Sequence, residues 1–395
     1  RFVALADQYA IDVFRVRVLA GSLEEGSRLE IDPGFAVLVF HPEDDLFDDG
    51  IGQLEHLGVP PEWLDILAIA PLTVKERRVG AFPRLRSARG GATLGRMKAD
   101  LHVHSDWSDG TLSPPELVRL AAAAGLEGLA LTDHDTMAGV PEFLAEAGAL
   151  RISAWAGVEI DCTVKELGYR SEVLAYFPDP APPATLAFLS NLRALRLERT
   201  KRHVEEARRL FGRTDLSFSE LEEIRLAARP AIHEAGLSWS RLDVYRYLVR
   251  KGAIPEATGY REFRRAFFET GLLRDGKYRK PALSEAMAPV KTDGGFAVIP
   301  HPGHAFGNDP ERLERERPRL VAFLERFRDE GVRGIEVYAY ADPRRDRIND
   351  IIMTVAGPMG FEFTFGSDCH GPGSGRTPIG GFFGNFAGFP WDAPR

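Results

Sequence analysis

From residue 98 onward the chain repeats one pattern several times over: a short apolar run, a polar loop, then a stretch with helical spacing. The runs are ADLHVH (99–104), LEGLALTDHD (126–135), RISAWAGVEIDCT (151–163), SEVLAYF (171–177), FAVIPHP (296–302), GIEVYAY (334–340) and FEFTFGSDCH (361–370). After the first, Ser113 and Glu116 have the spacing of a capping box and Pro114 suits a first helical position. Leu117, Val118, Ala121 and Ala124 recur at helical intervals until Gly125 stops them. Asp309-Pro310 and Asp342-Pro343 mark two further helix starts. Strands alternating with helices predict an α/β fold with a largely parallel sheet. In such folds, groups at the carboxyl ends of the strands meet at one rim.

Two regions break the rhythm. Residues 1–97 hold two short apolar runs, FAVLVF (35–40) and ILAIA (66–70), around an acidic loop. They predict a small N-terminal α/β or α+β unit of unknown role, with a Gly-rich linker near 87–97. Residues 98–395 then form the main domain, and about 184–290 read as a helical insertion within it. The stretch 193–213 carries eight Arg or Lys against three Glu, although the chain as a whole has a net charge of -8. That overall charge disfavours a general nucleic-acid coat or a binder of anionic membranes. No apolar run reaches the roughly 18 residues of a membrane span. The opening RFVALADQYAIDVFRV has acids inside its apolar stretch and no small-residue cleavage pattern, so no signal peptide is expected there. Two cysteines, Cys162 and Cys369, are too few for a disulfide framework, and the expected setting is the cytoplasm.

The chemistry gathers at the strand ends. His102, His104, Asp109, His134, Glu159, His301, Asp368 and His370 all fall there, and they include five of the ten histidines in the chain. Each has a plain structural reading; a lone histidine after a strand is more often hydrogen-bonded than ligating, and Asp133 and Asp135 suit helix caps. Together they point to one polar site. His-x-His places two imidazoles on one side of a strand, and SDCH adds a carboxylate and a third ring. Imidazole with carboxylate and no paired thiolate suits Mn, Fe or Zn, and eight candidate ligands suit two or three clustered divalent ions. Clustered ions activate hydroxide near neutral pH and clamp phosphoester oxygens. Cys369 lies between two of these residues and reads as a small loop residue, because a thiol nucleophile needs a base free of metal. No P-loop or dinucleotide fingerprint precedes a helix.

DLHVHSDWSDGTLSPPELVRLA, TDHDT, GVEI, IPHPG, GIEVY and GSDCHG, in this order, resemble the PHP (polymerase and histidinol phosphatase) family over about 98–380. The branch most resembled contains nucleoside 3',5'-bisphosphate phosphatases and a related 5'-3' exoribonuclease. The resemblance implies a distorted (β/α)7 barrel with a helical insertion, a trinuclear metal centre and phosphomonoester hydrolysis by metal-activated hydroxide. It assigns His102, His104, Asp109, His134, Glu159, His301, Asp368 and His370 as metal ligands. Of these, His102, His104, Asp109, His134, Glu159 and Asp368 would hold the hydroxide. Where the family usually has a histidine opening the strand after GVEI, this chain has Glu172, which can still ligate through oxygen. An arginine often follows the HPG block; here the position is His304.

The insertion is where this branch grips substrate phosphate. Arg229-Pro230 resembles the start of its R-P-H motif, but Ala231 follows and the next histidine is His233. Arg193, Arg196 and Arg199 share a helix face. Arg193, Arg199, Arg229, His233 and His304 are therefore the expected phosphate contacts, against a plain reading as a solvated face paired with Glu198, Glu205 and Glu206. The expected partner is a small phosphorylated substrate, with no membrane and no obligate protein partner. Three functions are in view: a phosphatase acting on a small metabolite such as a nucleotide, a 5'-3' exoribonuclease on short RNA, and a binding module whose metal site is structural.

Overall fold

The strand–helix repeat folds as a barrel whose strands follow one another in chain order. The computed structural model divides the chain into two units, Arg1–Gly90 and Gly91–Arg395. It describes residues 96–392 apart from Pro230, together with one antiparallel pair in the first unit, β1 (Asp12–Val13) and β2 (Leu38–Val39). The expected strand at 66–70 and most of the expected linker lie outside the described residues. In the second unit β3 (Met97–Val103), β4 (Gly128–Leu131), β5 (Ser153–Val164), β6 (Tyr169–Phe177), β7 (Phe296–Ile299), β8 (Gly334–Tyr338) and β9 (Glu362–Gly366) are hydrogen-bonded in that order. An eighth strand, β10 (Gly384–Phe386), runs antiparallel along β3. The chain beyond β9 returns to β3: His104 N–H donates to the Cys369 carbonyl at 2.9 Å, and Asp368 N–H to the His102 carbonyl at 2.9 Å. These bonds bring the two edges together and nearly close the barrel.

The sheet is less parallel than expected. β5 and β6 form an antiparallel hairpin, with Asp161 opposite Glu172, and β6 is antiparallel to β7 as well. The cause is a short connection, a single turn (Lys165–Leu167), where a parallel crossover needs a dozen or more residues. Reversal puts the beginning of β6 at the rim where the other strands end, so Glu172 joins their side.

Helices α1 (Pro114–Ala123), α2 (Val140–Leu150), α7 (Leu283–Thr292), α8 (Pro310–Arg315), α9 (Arg317–Asp329) and α10 (Arg345–Ala356) pack around the barrel. Leu117, Phe143, Leu283, Leu324 and Ile352 interlock with outward residues such as Val158 and Ile335 in one apolar layer. α1 starts as its sequence predicts, with the Glu116 carboxylate accepting from Ser113 N–H at 2.8 Å. α8 starts at Pro310, and Asp309 accepts from Arg312 N–H at 3.1 Å. Asp342-Pro343 precedes α10 without starting it; that helix begins at Arg345. Inside the barrel, Leu101, Trp155, Tyr176, Phe296 and Val298 fill the floor. Polar residues are left for the mouth.

α3 (Pro183–Leu210) joins two cores. Leu189 and Leu192 pack in the barrel layer, while Val204 and Ala207 pack in a separate core with Trp239, Tyr247 and Phe263. That second core gathers the rest of α3 with α4 (Phe218–Ala227), α5 (Arg241–Arg250) and α6 (Tyr260–Phe263). The insertion thus ends earlier than expected, because α7 belongs to the barrel. Midway along α3, Arg196 points into a buried carboxylate pair: Nε lies 2.6 Å from Asp135 Oδ2 and Nη2 lies 2.8 Å from Asp161 Oδ2. This guanidinium links the insertion to the loops after β4 and to β5. Removing one partner of a buried pair strands the other charge without water. Arg196→Ala is therefore expected to destabilise the domain by about 3–5 kcal/mol in denaturant unfolding; a loss under about 1 kcal/mol would contradict the linking role.

Candidate metal centre

A bulge in β3 sets the first two histidines. Pairing with β4 shifts register between Asp100 and Val103, so Leu101 packs on the barrel floor while the next residue, His102, also faces the interior. His104 follows with its ring centroid 5.0 Å away. Asp109 comes from the loop after β3, His134 from the loop after β4, Glu159 from within β5, Glu172 from β6, His301 from the loop after β7, and Asp368 and His370 from the loop after β9. His301 and Asp368 have positive φ, as does Asp135 beside His134, so the loops are bent sharply where these groups are presented.

The residues converge into three overlapping groups. The first is His104, Asp109, His134 and His370; the second is His102, His104, Glu159 and Asp368; the third is Glu159, Glu172 and His301. In each group one nitrogen or oxygen per residue lies within 4.8 Å of every other. His104 is shared by the first two groups and Glu159 by the last two. Glu159 is the hub: its carboxylate oxygens lie 3.3 Å from His102 Nε2, 3.4 Å from His104 Nε2, 3.2 Å from His134 Nδ1 and 3.1 Å from His301 Nε2. All nine candidate ligands named from the sequence fall in these groups.

The donor atoms suit cations. His102 Nε2, both ring nitrogens of His104, Asp109 Oδ1, His134 Nδ1 and His301 Nδ1 are buried without a hydrogen-bond partner. Buried polar atoms seldom remain unpaired, and a cluster of unpaired lone-pair donors is what a cation completes. The charges agree. Burial works against ionisation of Asp109, but His370 and His134 hold its carboxyl well below the usual range. His104 is pushed down to about 3 by burial and by the neighbouring His370 and His134, which keeps its ring neutral and able to ligate. Burial opposes charge on His370, yet Asp109 and Asp368 raise it to about 9, so a bound cation would displace a proton there.

A second layer holds the candidate ligands, and of its members the sequence singles out only Asp133, as a helix cap, whereas its carboxylate is taken by Ser105 and Ser108. Glu336 on β8 lies 2.8 Å from His102 Nδ1 through Oε1, and its Oε2 accepts from His301 N–H at 2.6 Å. Gly366 makes room for it, since a Cβ there would collide with Glu336 Oε1 and His102 Cβ. Asp100 accepts from the backbone N–H and hydroxyl of Ser367 at 3.0 and 2.6 Å, fixing the residue before Asp368. Asp133 takes the Ser105 N–H and the hydroxyls of Ser105 and Ser108, shaping the loop that carries Asp109. Asp368 Oδ2 accepts from Tyr338 and Arg376, each at 2.9 Å, leaving Oδ1 for the histidines. GIEVY is legible as a strand and as one block of the family resemblance, with no role for its glutamate, and nothing in the Gly-rich segment after His370 signals that Arg376 folds back. A glutamate at an inward strand position two residues from a glycine was the available signal for Glu336.

The expected phosphate contacts meet other partners. Arg229 makes four bonds, two to Asp106 and two to Glu142, at 2.7–2.9 Å. Arg193 donates to the carbonyls of Ala235 and Asp135. Arg199 stacks over Tyr278 with 4.1 Å to the ring centroid. His233 is exposed beside Trp107, and His304 stacks on His301 with centroids 4.3 Å apart. Arg225 and Arg246 donate to carbonyls of Asp106, Ser108 and Asp109. With Arg229, the insertion therefore grips the loop that presents Asp109.

Comparison with known proteins gives four findings. A family model described as "PHP domain" matches residues 100–220. A 3',5'-nucleoside bisphosphate phosphatase of Chromobacterium violaceum is 31% identical over 71% of this chain and 90% of its own length. A 5'-3' exoribonuclease of Haemophilus influenzae is 34% identical over 52% of this chain and 69% of its own length. Among solved structures, a Bifidobacterium adolescentis protein assigned to the metal-dependent phosphoesterases superposes with a TM-score of 0.53 at 29% identity, covering 70% of this chain and 89% of that one.

Outer-layer partners of ligating histidines typically change metal affinity by about 10–100-fold. Glu336→Gln, which keeps size and loses charge, is expected to weaken Mn2+ binding within that range in a chelator competition, with the fold unchanged by circular dichroism. An affinity equal to that of the unmodified protein would show that Glu336 does not aim His102.

Proposed function

This chain belongs to the PHP family and is a metal-dependent phosphoesterase, and on that footing we propose that it removes phosphate from a phosphomonoester of a small metabolite, a nucleotide. The observation that carries the reading is the sharing of His104 and Glu159 between neighbouring ligand groups, which sets cation positions side by side. In this reading His102, His104, Asp109, His134, Glu159, Asp368 and His370 hold divalent ions, with Glu172 and His301 beside them in the third group. Bound there, Mn, Fe or Zn would supply charge for phosphoryl oxygens and acidify water.

The chain's own residues do the rest. Glu159, Asp109 and Asp368 offset the clustered positive charge. Glu336, Asp100 and Asp133 hold the ligands so that little reorganisation is needed when substrate arrives. Arg376 has one nitrogen fixed on Asp368 and a side chain about 43% exposed, so part of its fork is available to a phosphate at the mouth. The name of the Chromobacterium relative supports a nucleotide substrate.

The name of the Haemophilus relative supports a second reading, stepwise removal of nucleotides from short RNA. In the basic stretch 193–213, Lys201, Arg208 and Arg209 pair with glutamates of α3 and Arg196 pairs with Asp135 and Asp161, so a small substrate is favoured.

Metal-stripped protein reloaded with Mn2+ is expected to release phosphate from at least one member of a nucleotide monophosphate and bisphosphate panel. Asp368→Asn is expected to lower kcat by at least about 100-fold, as removal of one charge stabiliser commonly does. A metal-loaded protein that hydrolyses no monoester would overturn the phosphatase reading; turnover of oligoribonucleotides alone would favour the RNA reading.

A further inference from the structure

The third ligand group differs from the others in where its hydrogen-bonding capacity already goes. In the first two groups, five ring nitrogens and carboxylate oxygens have no partner: His102 Nε2, His104 Nδ1, His104 Nε2, Asp109 Oδ1 and His134 Nδ1. In the third group only His301 Nδ1 is unpaired, and the other atoms are engaged with protein. His301 Nε2 lies 3.1 Å from Glu159 Oε1. Glu172 Oε1 accepts from Lys280 Nζ at 2.7 Å, and Glu172 Oε2 accepts from the Ser171 hydroxyl.

Lys280 is held as a cation by its surroundings. Its Nζ also meets Asp161 Oδ1 at 2.8 Å and the Ser171 carbonyl at 3.0 Å. Three acceptors around one nitrogen match the three donors of an ammonium, whereas a neutral amine has two. Asp161 is itself fixed by Arg196 from α3, so the ammonium sits in a socket of two carboxylates and a carbonyl that does not depend on any ion. A divalent ion bound by Glu172 would have to take the carboxylate from Lys280 or sit within about 4 Å of it, where like charges in a protein interior repel strongly. Among the described residues, the side-chain donor atoms of the first two groups meet no lysine or arginine except Arg376, whose contact is on Asp368 Oδ2 and leaves Oδ1 to the histidines.

Resting on the reading of this site as a metal centre, we propose that it takes two ions, in the groups around His134 and around His102, and that the Lys280 ammonium stands as a built-in charge at the position of a third. The residue that decides the count is then Lys280, a side chain from the segment leading into α7.

Counting ions tests this. The full-length chain, loaded with excess Mn2+ and desalted, is expected to retain about two ions per chain by inductively coupled plasma mass spectrometry. Lys280→Met, which keeps the volume and removes the charge, is expected to retain about three; Lys280→Arg, which keeps the charge, about two. Three ions in the unmodified protein would overturn the proposal, and so would a folded Lys280→Met that still holds two. Should Lys280→Met fail to fold, the count in the unmodified protein still decides. A loaded protein with fewer than two ions would overturn the metal-centre reading itself, an outcome distinct from a count of three.

Discussion

Glu159 is the constraint around which the site is arranged. One buried carboxylate faces four imidazoles that come from three separate segments of the chain, each within 3.1–3.4 Å. Such a group cannot be left charged in an apolar core without compensation. Either protons on the rings or cations between them must balance it. The barrel makes the arrangement possible, because β5 extends past its neighbours and carries Glu159 to the middle of the mouth, while an aromatic and aliphatic floor keeps the interior dry beneath it.

Much of the remaining structure serves to keep that mouth in shape. Asp100, Asp133 and Glu336 are buried acids that ligate nothing in the groups described, yet each holds a segment bearing a ligand. The insertion works on the same loops from outside. Arg225, Arg229 and Arg246 bind the 106–109 loop, and Arg196 binds Asp135 beside His134 and Asp161 across from Glu172. The positive charge of this region, set against a net acidic chain, compensates internal carboxylates and carbonyls more than it forms an open anion-binding groove.

The barrel and the meeting of the named histidines and carboxylates at one mouth were legible in the sequence for a physical reason. Strand-end histidines and carboxylates stand out against apolar runs, and a single topological rule brings strand ends together. Three things were hidden. The reversal of β6 depends on a connection too short for a crossover, which the strand pattern alone does not weigh. The bulge in β3 alters which residues face inward, so simple alternation gets Leu101 and His102 right only in part. The roles of Arg229, Arg376 and Lys280 depend on partners far along the chain, and a charge run cannot say whether its partners are phosphate, solvent or a buried aspartate. The strand predicted at 66–70 lies outside the described residues.

The most direct measurement is anomalous X-ray diffraction from crystals of the Mn2+-loaded protein at the metal absorption edge. The account predicts one peak within about 2.0–2.3 Å of ligand atoms among His102, His104, Glu159 and Asp368, and a second among Asp109, His134 and His370. Bound Mn2+ located elsewhere, with no anomalous density beside Glu159, would contradict it.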